Sequence, residues 1–450
     1  MKPFYLNPQQ TFLILGMGKS GTATASWLKE QGFRVITYDD IKLDSNLYLL
    51  DHLPWHEITA VIQSPGIACQ FPKPHPIIAL AKRNSIPILT DINLLQLSNP
   101  YARFVGVTGT NGKSTTTALI GHILQKNDYE CVTGGNIGVP ALSLPKLSSK
   151  GIYVLELSSF QLEISEPLNF DVAAWLNITP DHLERHNTLE NYIKVKEKIF
   201  LNAHHAVINL DDSYSQEVRQ RLQNREIPYV SVSCCHTADV QVRAGILYHN
   251  RQEILDLSCL EMLKGKHNHQ NVATAYAVCK TLNVNDDKIV KGLETFQGLE
   301  HRQEIIANHQ NILFVNDSKG TNAEATAFAL KAYQDYPLYW IIGGQPKTGG
   351  IHRLKEYFSY VHHVFIIGEA QRDFEATVKG HISYILCDDL THAFHEAIDL
   401  VQQDQLKNSF DRPCVILLSP ACASLDQFES FEHRGDVFRG LVKDFLRMSL

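Results

Sequence analysis

The residues with the clearest chemical capacity lie in GVTGTNGKSTTT, residues 106–117. Glycines there let backbone N–H groups converge on phosphate oxygens, and a helix N-terminus adds about half a positive charge. Lys113 supplies a point charge for β- and γ-phosphates, and the Ser114 hydroxyl can ligate magnesium. The core Gly109, Thr110, Asn111, Gly112, Lys113, Ser114, continued by Thr115, has one residue fewer than the usual phosphate-binding loop before its Gly-Lys pair. Such a loop by itself implies nucleotide hydrolysis or phosphoryl transfer. Two further segments narrow this. LELSSFQLE (155–163) puts Glu156 at the end of an apolar run, where ligand sites of parallel sheets lie and a carboxylate suits Mg²⁺. NITPDHLERH (177–186) presents Asp181, His182 and Glu184 after another such run; His182 is open to a metal, phosphate or structural role.

Placing these residues requires strands that end where they begin. Short β-branched runs at 12–15, 34–38, 60–63, 104–108, 153–156, 172–177, 206–209, 313–316, 338–342, 364–367 and 415–418 read as strands. They are continuously apolar rather than alternating, which suits parallel strands covered on both faces. Helical periodicity follows several of them, as at 114–125 with Leu119, Ile120, Ile123 and Leu124 on one face. The fold class is therefore α/β, with open parallel sheets. Glycine-rich turns at 16–21, 106–113 and 343–350 could each start a sheet. Linkers near 97–101 and 297–301 divide the chain into domains at 1–98, 99–298 and 299–450. The first and last are expected to be Rossmann-like, and the middle one a P-loop domain to which the polar stretch 211–262 adds a smaller, peripheral sheet.

Composition bounds the rest. The chain has 450 residues, 44% hydrophobic and 20% charged, which suits a globular protein of several domains and excludes a disordered one. No apolar run approaches the roughly 18 residues that span a bilayer, so no membrane insertion is expected. The nine cysteines form no Cys-x-x-Cys pair and are odd in number, which fits a reducing cytoplasm. A net charge of −7 gives no reason to expect nucleic acid as a partner.

Taken together, TGTNGKST, ELSSFQLE and NITPDHLERH resemble the Mur ligases, ATP-dependent enzymes that extend the peptide of the peptidoglycan precursor. The resemblance runs from about residue 12 to about residue 440. It includes GMGKSG (16–21), SPGI (64–67), GGNIG (134–138), GKHNHQN (265–271), HR (301–302), NDSKGTN (316–322) and SPACASLDQFESFEHRG (419–435). The last motif is the most specific to the members that add D-glutamate. The resemblance implies a first domain for the UDP moiety, a central ATPase domain and a third domain that closes over the site with the amino acid. It also implies a cytoplasmic monomer acting on UDP-N-acetylmuramoyl-L-alanine and D-glutamate through an acyl phosphate.

Residue by residue, the resemblance places Ser114 and Glu156 on a first Mg²⁺. His182 and Lys196 go with a second, Lys196 as a carbamate. The stretch NYIKVKEKIF also offers Lys194 and Lys198, and only the family spacing from Tyr192 selects Lys196. Asn271 goes to the adenine, with Asn268 close by, Asp317 to the ribose and Arg302 to the phosphates. Asn136, Ser158, Ser159 and Gln161 would contact the muramyl substrate. Lys19, Ser20, Asp39 and Ser64 would form the UDP pocket. For D-glutamate the resemblance points to Thr321, Lys347, Ser424, Leu425 and Phe431, with Pro346 standing where many members carry an acid; Lys319 offers further charge for the two carboxylates.

Other readings compete. GMGKSG with Asp39 at the next strand end fits a dinucleotide fingerprint and, alone, an NAD-dependent oxidoreductase. Such an enzyme would not need the second phosphate loop, Glu156 and His182. A Mur ligase of other amino-acid specificity, a folylpolyglutamate synthase-like ligase, or an inactive protein that senses the precursor are the remaining alternatives.

Overall fold

The computed structural model describes residues 5–40, 53–136, 138–263, 265–346, 349–407 and 410–448. Every strand expected from an apolar run is present, and the fold is α/β with three parallel-rich sheets. In the first, the strands Arg34–Tyr38, Thr11–Leu15, Ile58–Gln63 and Ile88–Leu89 lie side by side, all parallel.

The central sheet runs Gln252–Asp256, Ile246–His249, Val240–Arg243, Tyr229–Ser233, Asn202–Asn209, Asn169–Trp175, Arg103–Thr108, Ile152–Glu156, Cys131–Gly135. The separate peripheral sheet expected from 211–262 does not form. Strand Tyr229–Ser233 pairs in parallel with Asn202–Asn209, so the polar strands extend the central sheet and turn antiparallel only at its edge. The segment reads as peripheral because edge strands need few apolar residues.

Residues 1–297 form one compact unit and 298–450 another. Within the first, the expected linker is no loose spacer. Asn99 is 7% exposed and accepts a hydrogen bond from the buried Tyr153 hydroxyl at 3.2 Å. Phe12, Ile14, Ala60 and Ile62 of the first sheet share an apolar cluster with Phe104, Tyr153, Leu155 and Trp175 of the central one. Each buried side chain of this size contributes roughly 1.5–3 kcal/mol, so this common cluster holds the two sheets as one body. In the second unit the sheet order is Glu304–His309, Ile312–Asn316, Cys414–Leu418, Leu338–Gly343, Val361–Ile367, Tyr384–Leu386, with only the first pair antiparallel. Apolar clusters cover both of its faces.

Candidate active site

Three neighbouring parallel strands bring the chemistry together. Arg103–Thr108 lies between Ile152–Glu156 and Asn169–Trp175, with Val107 opposite Glu156 and Thr108 opposite Trp175. The phosphate loop, Glu156 and the 177–182 segment therefore emerge at one sheet end, the usual ligand edge of parallel sheets. The loop is bolted to the strand end beside it. Asn111 N–H donates to Asn177 Oδ1 at 2.9 Å, Asn177 Nδ2 returns a bond to Asn111 O at 3.1 Å, and Thr110 N–H donates to Asn177 O at 2.9 Å. The Thr110 hydroxyl meets Thr179 O and the Tyr192 hydroxyl, each at 3.1 Å.

The helix Lys113–Gln125 opens on Gly112 at φ +82°, and no side chain caps its first turn. A Cβ on Gly112 would sit 2.2 Å from Asn271 Oδ1, so only glycine leaves the loop both its left-handed turn and its close neighbour. Asn271 is itself buried, accepting from the Thr116 hydroxyl at 3.3 Å and donating to Asn268 Oδ1 at 3.2 Å. The Lys113 ammonium lies on Gly109 O at 3.0 Å and Thr110 O at 2.8 Å. Ser114 and Thr115 are buried just behind it.

Lys196 is 1% exposed and donates to the same Gly109 carbonyl at 2.9 Å and toward Thr108 Oγ1 at 3.3 Å. Burial, reinforced by the Lys113 charge, holds its pKa well below the ordinary lysine value, against the opposing pull of Asp181 and Glu156. Its neighbours in sequence go elsewhere: Lys194 is exposed, and Lys198 binds Leu162 O and Glu163 O at 3.0 and 2.7 Å, capping the C-terminus of helix Ser159–Ile164.

Glu156 is 3% exposed; its Oε1 accepts from Asn136 Nδ2 at 2.8 Å, while Oε2 is buried without a partner. An orphaned carboxylate oxygen at a strand end beside a phosphate loop and a serine hydroxyl fits a hard divalent cation. Among the described residues no group of three or more His, Cys, Asp or Glu side chains could hold a metal by itself. A cation here would thus depend on the serine and on ligand oxygens as much as on carboxylates. His182 adopts a left-handed backbone (φ 51°), packs against Phe160 at 4.9 Å and lies 3.5 Å from Asp181 and 3.4 Å from Glu184. Ser158 and Gln161 form a capping box at the start of helix Ser159–Ile164, which accounts for both side chains locally.

Residues that sequence reasoning passed over support these. His186 is 5% exposed, 2.9 Å from Ser159 Oγ, and packed against Phe160 and Tyr192. Burial, and secondarily the charges of Arg185, His182 and Lys196, lower its pKa to about 4. The unfolded imidazole takes its proton near 6.5 and the folded one only near 4, so stability is full above the first value and is lost as pH falls toward the second. Thermal unfolding between pH 7.5 and 5 should show a steeper loss of Tm for wild type than for His186→Gln, which keeps a polar partner for Ser159 but takes no proton. Parallel curves would refute this.

In the first sheet, Gly21 lies so close to the opening turn that a Cβ would meet Gly16 O at 1.8 Å. Only glycine allows so close a helix-to-strand approach, as dinucleotide-type turns require. Lys19 and Ser20 open an uncapped helix there, Asp39 Oδ2 accepts from Met17 N–H at 2.5 Å, and the Ser64 hydroxyl donates to Gly16 O at 2.8 Å.

In the second unit Asp317 is buried, accepting from the Ser419 hydroxyl at 2.7 Å and from Gln303 N–H at 3.1 Å. Burial raises its pKa to about 7. Arg302 sits between two left-handed residues, His301 and Gln303, and its Nε is buried without a partner. The Arg434 guanidinium, wholly buried, binds Ser318 O, Cys422 O and Ala423 O and so clasps 316–322 to 419–424. That clasp gathers Lys319, which lies 5.5 Å over the Phe431 ring, with Thr321 and the buried Ser424; Leu425 is exposed. Lys347 lies outside the described residues.

This fold and site define a class. Residues 107–279 match the Mur ligase middle domain. A crystal structure of MurF from Acinetobacter baumannii has the same fold, with a TM-score of 0.63 at 18% identity, covering 96% of this chain and 90% of that one. Among curated relatives, the UDP-N-acetylmuramoylalanine--D-glutamate ligase of Rhodospirillum rubrum is 42% identical, over 98% of this chain and 96% of its own. That of Paramagnetospirillum magneticum is 41% identical over 96% of each. The chain belongs to the UDP-N-acetylmuramoylalanine--D-glutamate ligase family of Mur ligases. The dehydrogenase reading of GMGKSG therefore falls. No helix among the described residues is long and apolar enough to cross a membrane, and none of the nine cysteines is in a disulfide.

Proposed function

We propose that this chain is an ATP-dependent ligase that joins D-glutamate to UDP-N-acetylmuramoyl-L-alanine, forming ADP and phosphate in peptidoglycan precursor synthesis. The alanyl carboxylate attacks the γ-phosphorus of ATP, and the D-glutamate amine then attacks the acyl phosphate and expels phosphate. The observation that carries this reading is the meeting of the phosphate loop and the orphaned Glu156 oxygen at adjacent strand ends with buried Lys196, which reaches the loop from the helix Leu189–Glu197, in a chain of this family.

Residues 1–98 are assigned to the UDP moiety, 99–298 to ATP and 299–450 to the amino acid. Loop N–H groups and Lys113 bind and orient the triphosphate, and Asn271, with Asn268 beside it, is assigned to the adenine. Ser114 and Glu156 would hold one Mg²⁺, and His182 with Lys196 a second. Bound there, the ions supply positive charge where two anions must approach. Lysine can serve only as a carbamate, made when its neutral amine adds to CO₂ and releases a proton. Burial beside Lys113 makes that neutral amine accessible. Asn136 orients Glu156. Thr321, Ser424, Phe431, Lys319 and Lys347 are assigned to the two carboxylates and backbone of D-glutamate.

Phosphate release should require both UDP-N-acetylmuramoyl-L-alanine and D-glutamate. In an amino-acid panel, equal release with L-alanine, L-lysine or diaminopimelate would remove the specificity.

A further inference from the structure

Arg185 is 7% exposed and bridges two segments that the reading above gives to different substrate groups. Its Nε donates to Glu163 Oε2 at 2.7 Å, and its Nη2 donates to Ile67 O at 2.7 Å. The Glu163 side chain is only 8% exposed, and the guanidinium lies 5.0 Å over the Phe160 ring, which also packs against His182. Ile67 closes the turn at 64–67, with its N–H on Ser64 O, and Ser64 in turn supports Gly16 of the glycine-rich loop. Gln63 Nε2 donates to the same Ile67 carbonyl at 2.9 Å. At its other end Arg185 belongs to the single helical turn Leu183–His186, bounded by left-handed His182 and Asn187. Non-glycine residues hold such a backbone only where their surroundings enforce it. Arg185 and His186 are the buried members of that turn, and so are its anchors.

We propose that Arg185 is a positioning residue that sets the 64–67 turn in register with the His182 turn, coupling capture of the UDP moiety to presentation of the substrate carboxylate at the phosphate loop. The proposal rests on the reading of 64–67 as part of the UDP pocket. Arginine suits the task because its planar fork reaches two acceptors in divergent directions, whereas a lysine ammonium at this position satisfies one. Glu163 neutralises the charge, since a buried guanidinium without its partner is strongly disfavoured.

The test uses the full chain with Arg185→Lys, Arg185→Ala and Glu163→Gln, measuring Tm, binding of a non-hydrolysable ATP analogue, binding of UDP-N-acetylmuramoyl-L-alanine, and KM and kcat. In Arg185→Ala the ATP analogue should bind within about twofold of wild type, while KM for the UDP substrate rises and kcat falls, each by roughly tenfold or more. Arg185→Lys should recover Tm without recovering that KM, and millimolar guanidinium should partly restore Arg185→Ala. Wild-type KM and kcat in Arg185→Ala would overturn the proposal. So would full rescue by lysine, or a loss of ATP-analogue affinity equal to the loss for the UDP substrate. If the wild-type chain itself fails to bind the UDP substrate, the reading of 64–67 falls first and the proposal with it.

Discussion

Lys113→Ala should lower ATP-dependent phosphate release by roughly 10³-fold or more, because the loop loses the cation that meets charge developing on the γ-phosphoryl group. The fold should survive. Lys113 is partly exposed, its ammonium lies on the loop carbonyls Gly109 O and Thr110 O, and the apolar side of its helix is packed independently. A second consequence follows from Gly109 O, which accepts from both Lys113 and Lys196. Removing the first ammonium relieves the repulsion that helps depress the pKa of the second, so Lys196 becomes more basic and less of its amine is neutral. Lys113→Ala should therefore also reduce carbamylation of Lys196, readable by mass spectrometry under carbon dioxide. Trapping of the acyl phosphate with hydroxylamine in single-turnover mixtures checks the main effect. Normal trapping and turnover would contradict it.

The chemistry was legible in the sequence wherever it is local in the chain. A phosphate loop is built from consecutive residues, so GVTGTNGKSTTT announces itself, and Glu156 is found by ending a strand. Continuously apolar runs marked the buried strands for the same reason, including Arg103–Thr108 and Ile152–Glu156. Cys131–Gly135 escaped because its glycines read as a turn, yet they let it lie against Glu156: a Cβ on Gly135 would meet Glu156 O at 2.5 Å.

Contacts made between distant segments left no such mark. Asn177, which pins the loop through Asn111, and His186, which stands against Ser159, look like ordinary polar residues of a connecting segment. Ser158 and Gln161 show the converse: the resemblance puts both on the substrate, yet their spacing is also that of a capping box, and the structure forms that box. Helical periodicity alone could not choose among Lys194, Lys196 and Lys198, and only the family spacing from Tyr192 selected Lys196. Successive residues of a helix turn by about 100°, so Lys196 points roughly opposite to Lys194, while Lys198 begins the next, tighter turn; the packing shows that it is Lys196 that faces the loop.

Lys196→Ala should be nearly inactive, by roughly 10³-fold or more, and partly rescued by formate or acetate. Two explanations of a dead variant must be separated. As an ammonium, Lys196 ties Thr108 Oγ1 to Gly109 O, so its loss could simply loosen the loop. As a carbamate, it would present oxygens beside Glu156 and Asp181, whose charges are felt at its position. Lys196→Arg distinguishes them. Arginine keeps the positive charge and the donors but forms no stable carbamate, so a structural cation would be largely replaced and a carbamate would not. Lys196→Met keeps most of the buried stem and limits the cavity penalty of about 2–5 kcal/mol that truncation of a long buried side chain can carry. The expected pattern is inactivity in the Arg, Met and Ala variants, rescue by short carboxylates only where truncation leaves room, and wild-type activity that falls in carbon dioxide-free buffer. The direction with pH follows from the proton released on carbamate formation: lower pH protonates the amine and drives decarboxylation, so the wild type should lose activity on the acid side before the carboxylate-rescued Ala variant does. An active Lys196→Arg, or a Lys196→Ala that works without any additive, would return Lys196 to a purely structural role.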